Sequence, residues 1–146
     1  MKMSEKQLEL LELIIGYLRA SQSEKYINFS NYLYEIVDLS YQSEELYSRK
    51  VVLRMQGAGM VPSQSLTNEF KQTQKKHEKV CKIMARKLRG IKKIRDFIAM
   101  DLECVMSKLK EVNLTPESSS QDIANFFDSC EELQFLNSKK VSKKLK

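Results

Sequence analysis

The sequence predicts an all-α protein in which N-terminal helices pack on a long coiled-coil helix, with a short C-terminal helix after it. Three observations lead to this class. The 146 residues include only four glycines and two prolines, so long stretches contain no helix breaker. Apolar residues recur at steps of three and four along most of the chain. One stretch repeats at a mean step of 3.5 residues, the period of a coiled coil.

The first helix is predicted over residues 5–20. Ser4 and Gln7 have the spacing of a capping box, in which each side chain bonds the backbone N–H of the other residue. The polar residues after position 20 end the apolar pattern. The stripe of this helix consists of Leu8, Leu11, Ile15 and Leu18.

Residues 26–56 are also predicted to be helical, so that residues 1–56 form an N-terminal helical pair. The segments YINF and KVVLRM would tolerate a strand, but no partner strand is apparent elsewhere in the chain. A break near Ser40–Ser43 is compatible with the pattern. Residues 57–65 are predicted to be a linker, because two glycines and a proline within six residues cannot remain helical.

Residues 66–113 are predicted to form one long helix. They contain no proline and a single glycine, Gly90, and a continuous helix of this length would extend about 70 Å. Such a rod cannot bury its apolar stripe on itself, so it needs the N-terminal helices or another chain. A compact four-helix bundle is the alternative architecture. We predict a partner seam made of Val80, Met84, Leu88, Ile91, Ile94, Ile98, Leu102, Val105 and Leu109.

The C-terminal part is predicted to contain a short acidic amphipathic helix and a disordered tail. Residues 114–138 contain this helix, at 121–136, and the lysine-rich residues 139–146 form the tail. The helix could dock into a groove of a partner or close a bundle within the chain. Its candidate docking residues are Ile123, Phe126, Phe127 and Leu133.

Charge is distributed unevenly along the chain. The net charge is +6, but residues 71–95 hold eleven Lys or Arg residues and one acid, and residues 139–146 hold five Lys and no acid. All other positions together hold 9 basic and 18 acidic residues. This polarity predicts electrostatic binding of a partner or of one part of the chain to another.

We expect the basic stretch to bind an acidic surface, which could belong to another protein, to the chain's own helix 121–136, or to nucleic acid. Single-strand binders also present stacking aromatics, and residues 71–95 contain none. In a basic zipper the basic region precedes the apolar ladder, whereas here the ladder runs through it. The predicted binding residues are Lys75, Lys76, Lys79, Lys82, Arg86, Lys87, Arg89, Lys92, Lys93 and Arg95.

The chain offers little for catalysis or for a metal ion. His77 and Cys81 lie four residues apart on one helical face and could share a metal, but no further ligand has a matching spacing. The same pair lacks an adjacent group that would orient the histidine as a base. We therefore predict no catalytic residue, no cofactor and no metal.

These patterns predict a non-enzymatic coiled-coil scaffold subunit of a multi-protein assembly, hetero- or homo-oligomeric. The beginning of the chain lacks an apolar leader and the three cysteines are widely spaced, so we expect an intracellular protein, cytoplasmic or nuclear, with free thiols. No apolar run approaches the roughly 20 residues that span a bilayer. Small chains of this type occur in chromosome-segregation, spindle and cytoskeletal complexes. A helical nucleic-acid-binding protein that uses residues 71–95 is the alternative.

Overall fold

The computed structural model describes residues 3–57 and 63–146, and it has the all-α fold that the sequence predicts. Within these residues every regular element is helical, and no helix has the length and hydropathy required to cross a membrane. The α-helices are α1 (Glu5–Ala20), α2 (Glu24–Gln56), α3 (Gln64–Gly90), α4 (Lys92–Asp96), α5 (Leu102–Glu111), α6 (Ser120–Ser129) and α7 (Lys139–Leu145). A π-helical turn, Phe97–Asp101, joins α4 to α5, and a 3₁₀ helix, Glu131–Asn137, precedes α7.

Helices α1 and α2 form an antiparallel pair. The predicted capping box is present, since Ser4 Oγ accepts from the Gln7 N–H and Gln7 Oε1 accepts from the Ser4 N–H, each at 3.1 Å. Helix α1 has the predicted bounds. Helix α2 starts two residues before the predicted 26–56 and continues through Ser40–Ser43 without the break that the sequence allowed. The preference for helix over strand in this segment is therefore confirmed.

Helix α3 returns antiparallel along α2. Ser63 caps its first turn by accepting from the Leu66 N–H at 3.1 Å. Of the predicted linker 57–65, the structure places Gly57 directly after α2 and Ser63 directly before α3. Gln64 and Ser65, which were also predicted to belong to the linker, already form the start of α3, and residues 58–62 lie outside the described part of the chain.

The prediction of one continuous helix over 66–113 is wrong. Helix α3 ends at Gly90, and Ile91 has an extended backbone with φ −134° and ψ 93°. Farther on, a π-helical turn, in which the Leu102 N–H bonds the Phe97 carbonyl, interrupts the α-helix a second time, and Phe97 and Ile98 within it are both buried.

Side chains from distant segments satisfy the backbone where α3 ends. The hydroxyl of Tyr32 donates to the Lys87 carbonyl, and Lys144 Nζ donates to the Gly90 carbonyl at 2.7 Å. The last carbonyls of a helix have no partner within the helix, so these bonds stabilise the break. The predicted disordered tail at 139–146 is thus wrong as well, because most of it forms α7, and Val141 and Leu145 pack against the core.

The core lies between α1, the first half of α2 and the segments after Ile91. Rings of Phe29, Phe97 and Phe135 meet at its centre, with centroids 5.6, 5.8 and 6.2 Å apart. Beyond this core, α2 and α3 continue as a thin hairpin, which we call the arm (residues 41–57 and 63–87). Only Leu53 and Thr73 are buried in it.

The bond from Tyr32 to the end of α3 gives a stability prediction. Tyr32→Phe removes the hydroxyl donor and leaves the Lys87 carbonyl without this partner, so the free energy of unfolding should fall by about 1 kcal/mol in urea denaturation. Tyr34→Phe is the matched control, because Tyr34 is exposed and makes no hydrogen bond through its hydroxyl within the described residues. Equal effects of the two substitutions would contradict the proposed stabilisation of the break.

Candidate binding face and cleft on the helical arm

Nine of the ten predicted binding cations are exposed, and within the described residues none of the nine lies within 4 Å of a carboxylate oxygen. The exception is Lys87, which is half-buried, pairs with Glu35 and lies over the ring of Tyr32. The nine exposed residues are Lys75, Lys76, Lys79, Lys82, Arg86, Arg89, Lys92, Lys93 and Arg95.

Five of these cations form one row along α3. Their steps of four and three residues keep them on one side of the helix, over about 21 Å. Half-buried Ile83 lies beside them and, with Glu78, lines a shallow groove of about 310 Å³ between the cations. We call this surface the basic face; its row consists of Lys75, Lys79, Lys82, Arg86 and Arg89.

The chain's own acidic segment does not neutralise the basic face. Asp128 accepts from the Tyr26 hydroxyl at 2.6 Å and lies 3.6 Å from Lys25 Nζ. Glu132 Oε1 accepts from Lys108 Nζ at 2.7 Å. Asp128 and Glu132 therefore pair with Lys25 and Lys108, which lie outside the basic face.

The predicted docking residues are occupied within the chain. Ile123, Phe127 and Leu133 are buried, and half-buried Phe126 packs edge-on against Phe127 at 5.6 Å. The predicted helix 121–136 is divided into α6 and the 3₁₀ helix, because Cys130 is extended and directs the second half back towards the core. The sequence left open whether this segment docks within the chain or on a partner, and the structure docks it within the chain.

The predicted partner seam is divided between the core and the arm. Val80 and Met84 are half-buried in the arm. The other seven residues are buried in the chain's own core, so in this fold they are not available to another chain. These seven are Leu88, Ile91, Ile94, Ile98, Leu102, Val105 and Leu109.

Sequence reasoning missed the apolar surface of the arm. Several large side chains of α2 are exposed there, up to 70% for Met55 and 56% for Tyr47. Helical spacing alone could not identify them, because the same spacing also describes buried residues. The exposed set is Tyr41, Tyr47, Val51, Val52 and Met55.

A cleft of about 460 Å³ opens where the start of α1 meets the arm. His77 Nε2 lies 3.3 Å from Ser43 Oγ and 3.6 Å from Cys81 Sγ, and the Ser43 and Cys81 atoms are also 3.6 Å apart. Lys50 Nζ lies 3.5 Å from His77 Nδ1. The lining comprises Met3, Leu8, Ser40, Ser43, Glu44, Tyr47, His77, Cys81, Met84, Ala85 and Leu88.

The protonation of His77 follows from these contacts. Burial and the charge of Lys50 lower the pKa of His77 below its usual value, so the ring is neutral at pH 7. An ammonium group only donates hydrogen bonds, so Nδ1 accepts from Lys50 and Nε2 carries the hydrogen. Nε2–H therefore donates towards Ser43 or Cys81.

This arrangement differs from a catalytic Cys–His pair. A general-base histidine is oriented by an acceptor at Nδ1–H, which also stabilises the imidazolium form, whereas Lys50 opposes that form here. In the parts of the chain that the structure covers, no three His, Cys, Asp or Glu side chains are grouped to hold a metal ion.

Comparison of the chain with protein-family models, with curated proteins and with solved structures finds no match. Function must therefore be inferred from the arm and its surroundings.

The pair that holds the acidic segment in place can be tested by a substitution. Lys108→Met removes the hydrogen bond to Glu132, whose second carboxylate oxygen is already buried without a partner, so the free energy of unfolding should fall. Lys110→Met is the exposed control and should have a smaller effect in the same urea titration. Lys108→Met with Glu132→Gln should recover part of the loss, because the double variant leaves no unpaired charge.

The pH dependence of stability provides a second test of this pair. The hydrogen bond from Lys108 holds the pKa of Glu132 below its usual value, so this contribution is present at neutral pH. It is lost as the pH falls from the usual glutamate value through the lowered one. Lys108→Met should therefore lose less stability over that range than the unmodified chain, and an unchanged acid profile would contradict the assignment.

Proposed function

We propose that this chain is a non-enzymatic subunit of a protein assembly and that its basic face binds an acidic segment of a partner protein. The observation that carries the proposal is the row of exposed cations along α3, none of which lies within 4 Å of a carboxylate oxygen of the described residues. Maintaining so many like charges on one helix opposes folding through self-repulsion. An acidic partner would relieve this repulsion.

The composition of the arm favours a protein over other acidic ligands. Glu78 would repel a phosphate backbone, while Ile83 offers an apolar contact to a helix side chain. On α2, Tyr47 and Met55 are exposed, and so are Val51 and Val52 between them. Exposed apolar patches bordered by charge are typical of protein interfaces. A partner helix with acidic and apolar residues at helical spacing would match these features.

The kind of assembly remains a prediction from the size and helical character of the chain. We expect a complex of the chromosome-segregation, spindle or cytoskeletal type, with the chain in the cytoplasm or nucleus. In this proposal the arm, and not the ladder between Leu88 and Leu109, provides the contact with the partner.

Nucleic-acid binding is the second candidate, and the length of the cation row favours it. Five cations over about 21 Å can contact successive phosphates, which gives affinity without sequence preference. Such binding would weaken steeply with salt. The logarithm of the binding constant would fall linearly with the logarithm of the salt concentration, with a slope of about −0.9 for each phosphate contact.

Two labelled peptides of equal negative charge distinguish these candidates by fluorescence anisotropy at 150 mM salt. One is an acidic helix with leucines at steps of three and four, and the other carries alanine and glutamine at those positions. We expect the leucine peptide to bind more tightly, and Ile83→Ser to reduce that difference, because apolar contact adds to charge. A 20-base-pair duplex should bind weakly.

Charge reversal tests the location of the binding site. Lys75, Lys79, Lys82 and Arg86 changed together to Glu should weaken peptide binding by about a hundredfold or more. The matched control changes Lys110, Lys139, Lys140 and Lys143 to Glu, which alters the net charge equally at exposed sites elsewhere. Equal losses in both variants would contradict the proposed face. Tighter binding of the duplex than of either peptide would support the alternative.

A further inference from the structure

Gly16 lies in the interior of α1, where the backbone is helical and does not require a glycine. A glycine within a helix is less stable than an alanine at the same position, because it loses more conformational freedom on folding. Apart from its chain neighbours and the backbone of its own helix, a Cβ atom added to Gly16 would meet no described atom within 4 Å. Packing within the described chain therefore does not account for this glycine, and the open space above it favours close approach of another molecule.

Large side chains with apolar surface are exposed near Gly16 on both N-terminal helices. Leu13 lies one turn before Gly16 and is 54% exposed. On α2, Tyr34 and Tyr41 are 52% and 44% exposed, and two helical turns, about 10 Å, separate them. Exposed apolar side chains grouped in this way are typical of a binding surface.

Two contacts between α1 and α2 place these tyrosines on either side of Gly16. The hydroxyl of Tyr41 donates to Glu12 Oε1 at 3.0 Å, and the guanidinium of Arg19 lies over the Tyr34 ring, 5.2 Å from its centroid. Glu12 lies four residues before Gly16 and Arg19 lies three residues after it, so all three are on one side of α1. We call this surface the N-terminal face; it comprises Leu13, Gly16, Tyr34, Tyr41 and the charged residues around them.

The N-terminal face is acidic. Two exposed glutamates of α1, Glu9 and Glu12, and two exposed acids of α2, Asp38 and Glu45, lie within one turn of its apolar residues. In the part of the chain that the structure describes, none of these four carboxylates lies within 4 Å of a Lys, Arg or His nitrogen. Arg19 carries the opposite charge on this face. Four carboxylates against one guanidinium leave the face negative, so a cationic partner complements it.

We propose that the N-terminal face binds a basic amphipathic helix of a second partner protein. An apolar side chain of that helix packs over Gly16 between Tyr34 and Tyr41, as a knob fits a hole between packed helices. Lysines or arginines on its flanks meet the carboxylates of the face. The site goes beyond the proposed function and does not depend on it, because α3 contributes no residue to it. Two surfaces of opposite charge would allow the chain to connect an acidic partner with a basic one.

Fluorescence anisotropy with the full chain at about 150 mM salt tests this face. The probe is a labelled helical peptide with leucines at steps of three and four and lysines on both flanks. Its control keeps the lysines but carries alanine and glutamine in place of the leucines. We expect the leucine peptide to bind about tenfold more tightly, because apolar burial adds to the attraction of charge. Equal binding of the two peptides would overturn the proposal.

The substitution Gly16→Leu fills the open space from within the chain. It should not lower stability, because a Cβ atom at this position meets nothing nearby and leucine is a better helix former than glycine. It should weaken binding of the leucine peptide about tenfold, by blocking the position of the incoming side chain. Ser107→Leu adds a leucine at an exposed position of α5 and should leave binding unchanged. Undiminished binding by Gly16→Leu would contradict the role of Gly16.

Charge reversal separates this face from the basic face. Glu9→Lys with Glu45→Lys should weaken binding of the basic peptide about tenfold. Glu111→Lys with Glu117→Lys changes the net charge equally at exposed sites elsewhere and should have little effect, and reversal of the cations of the basic face should not weaken binding. Equal losses from the two glutamate pairs would overturn the location. A dimer of the unmodified chain that Gly16→Leu dissociates would assign the face to a second copy and overturn the choice of partner.

Discussion

Burial of the apolar ladder from Leu88 to Leu109 is the constraint on which the other features of this fold depend. A straight helix would carry these side chains onward along the line of α3, and it could not bury its apolar stripe on itself. The extended backbone at Ile91 and the π-helical turn at Phe97–Asp101 redirect the ladder into the core. This break leaves carbonyl groups at the end of α3, and Tyr32 and Lys144 donate hydrogen bonds to them. Lys144 belongs to the basic tail, so the break also gives the tail a contact that helps to order it.

The same packing leaves the arm with a small core of its own. Because α1 and the C-terminal segments cover only the first half of α2, the arm buries only Leu53 and Thr73 between its two helices. Its outer surfaces carry the cations of α3 and exposed apolar side chains of α2. The core and the binding surface are therefore separate, and charge reversal on the arm can test binding without disturbing the ladder. The cleft at the base of the arm lies between these two regions, which makes Cys81 accessible and places it beside core residues such as Leu88.

Local patterns predicted the helices, but they could not predict how the chain redirects them. The capping box at Ser4 and the stripe after it gave the bounds of α1, because capping depends on residues near in sequence. The break at Gly90 was not predicted, since Leu88 and Ile91 keep the spacing of the ladder on its two sides. Its stabilising partners are 55 and 54 residues away in the chain, beyond the reach of any periodicity.

The candidate site was predictable to a similar extent. Charge content identified the cations of α3, because exposed charge needs no tertiary information. The proximity of His77 and Cys81 followed from their spacing, but the contacts that Ser43 and Lys50 make with them were not predicted, since these depend on the register between α2 and α3. For the same reason, the sequence could not tell that the ladder and the docking residues such as Phe127 would be covered by the chain itself.

The most direct test of this account is the mass of the purified chain in solution, measured by light scattering together with the concentration dependence of thermal unfolding by circular dichroism. If the ladder is buried within one chain, the protein is a helical monomer whose melting temperature does not change with concentration. A dimer or larger oligomer whose melting temperature rises with concentration, and which persists after Tyr47→Ser and Met55→Ser remove apolar contacts from the arm and Gly16→Leu fills the N-terminal face, would show that the ladder is an intermolecular seam and would contradict the fold described above.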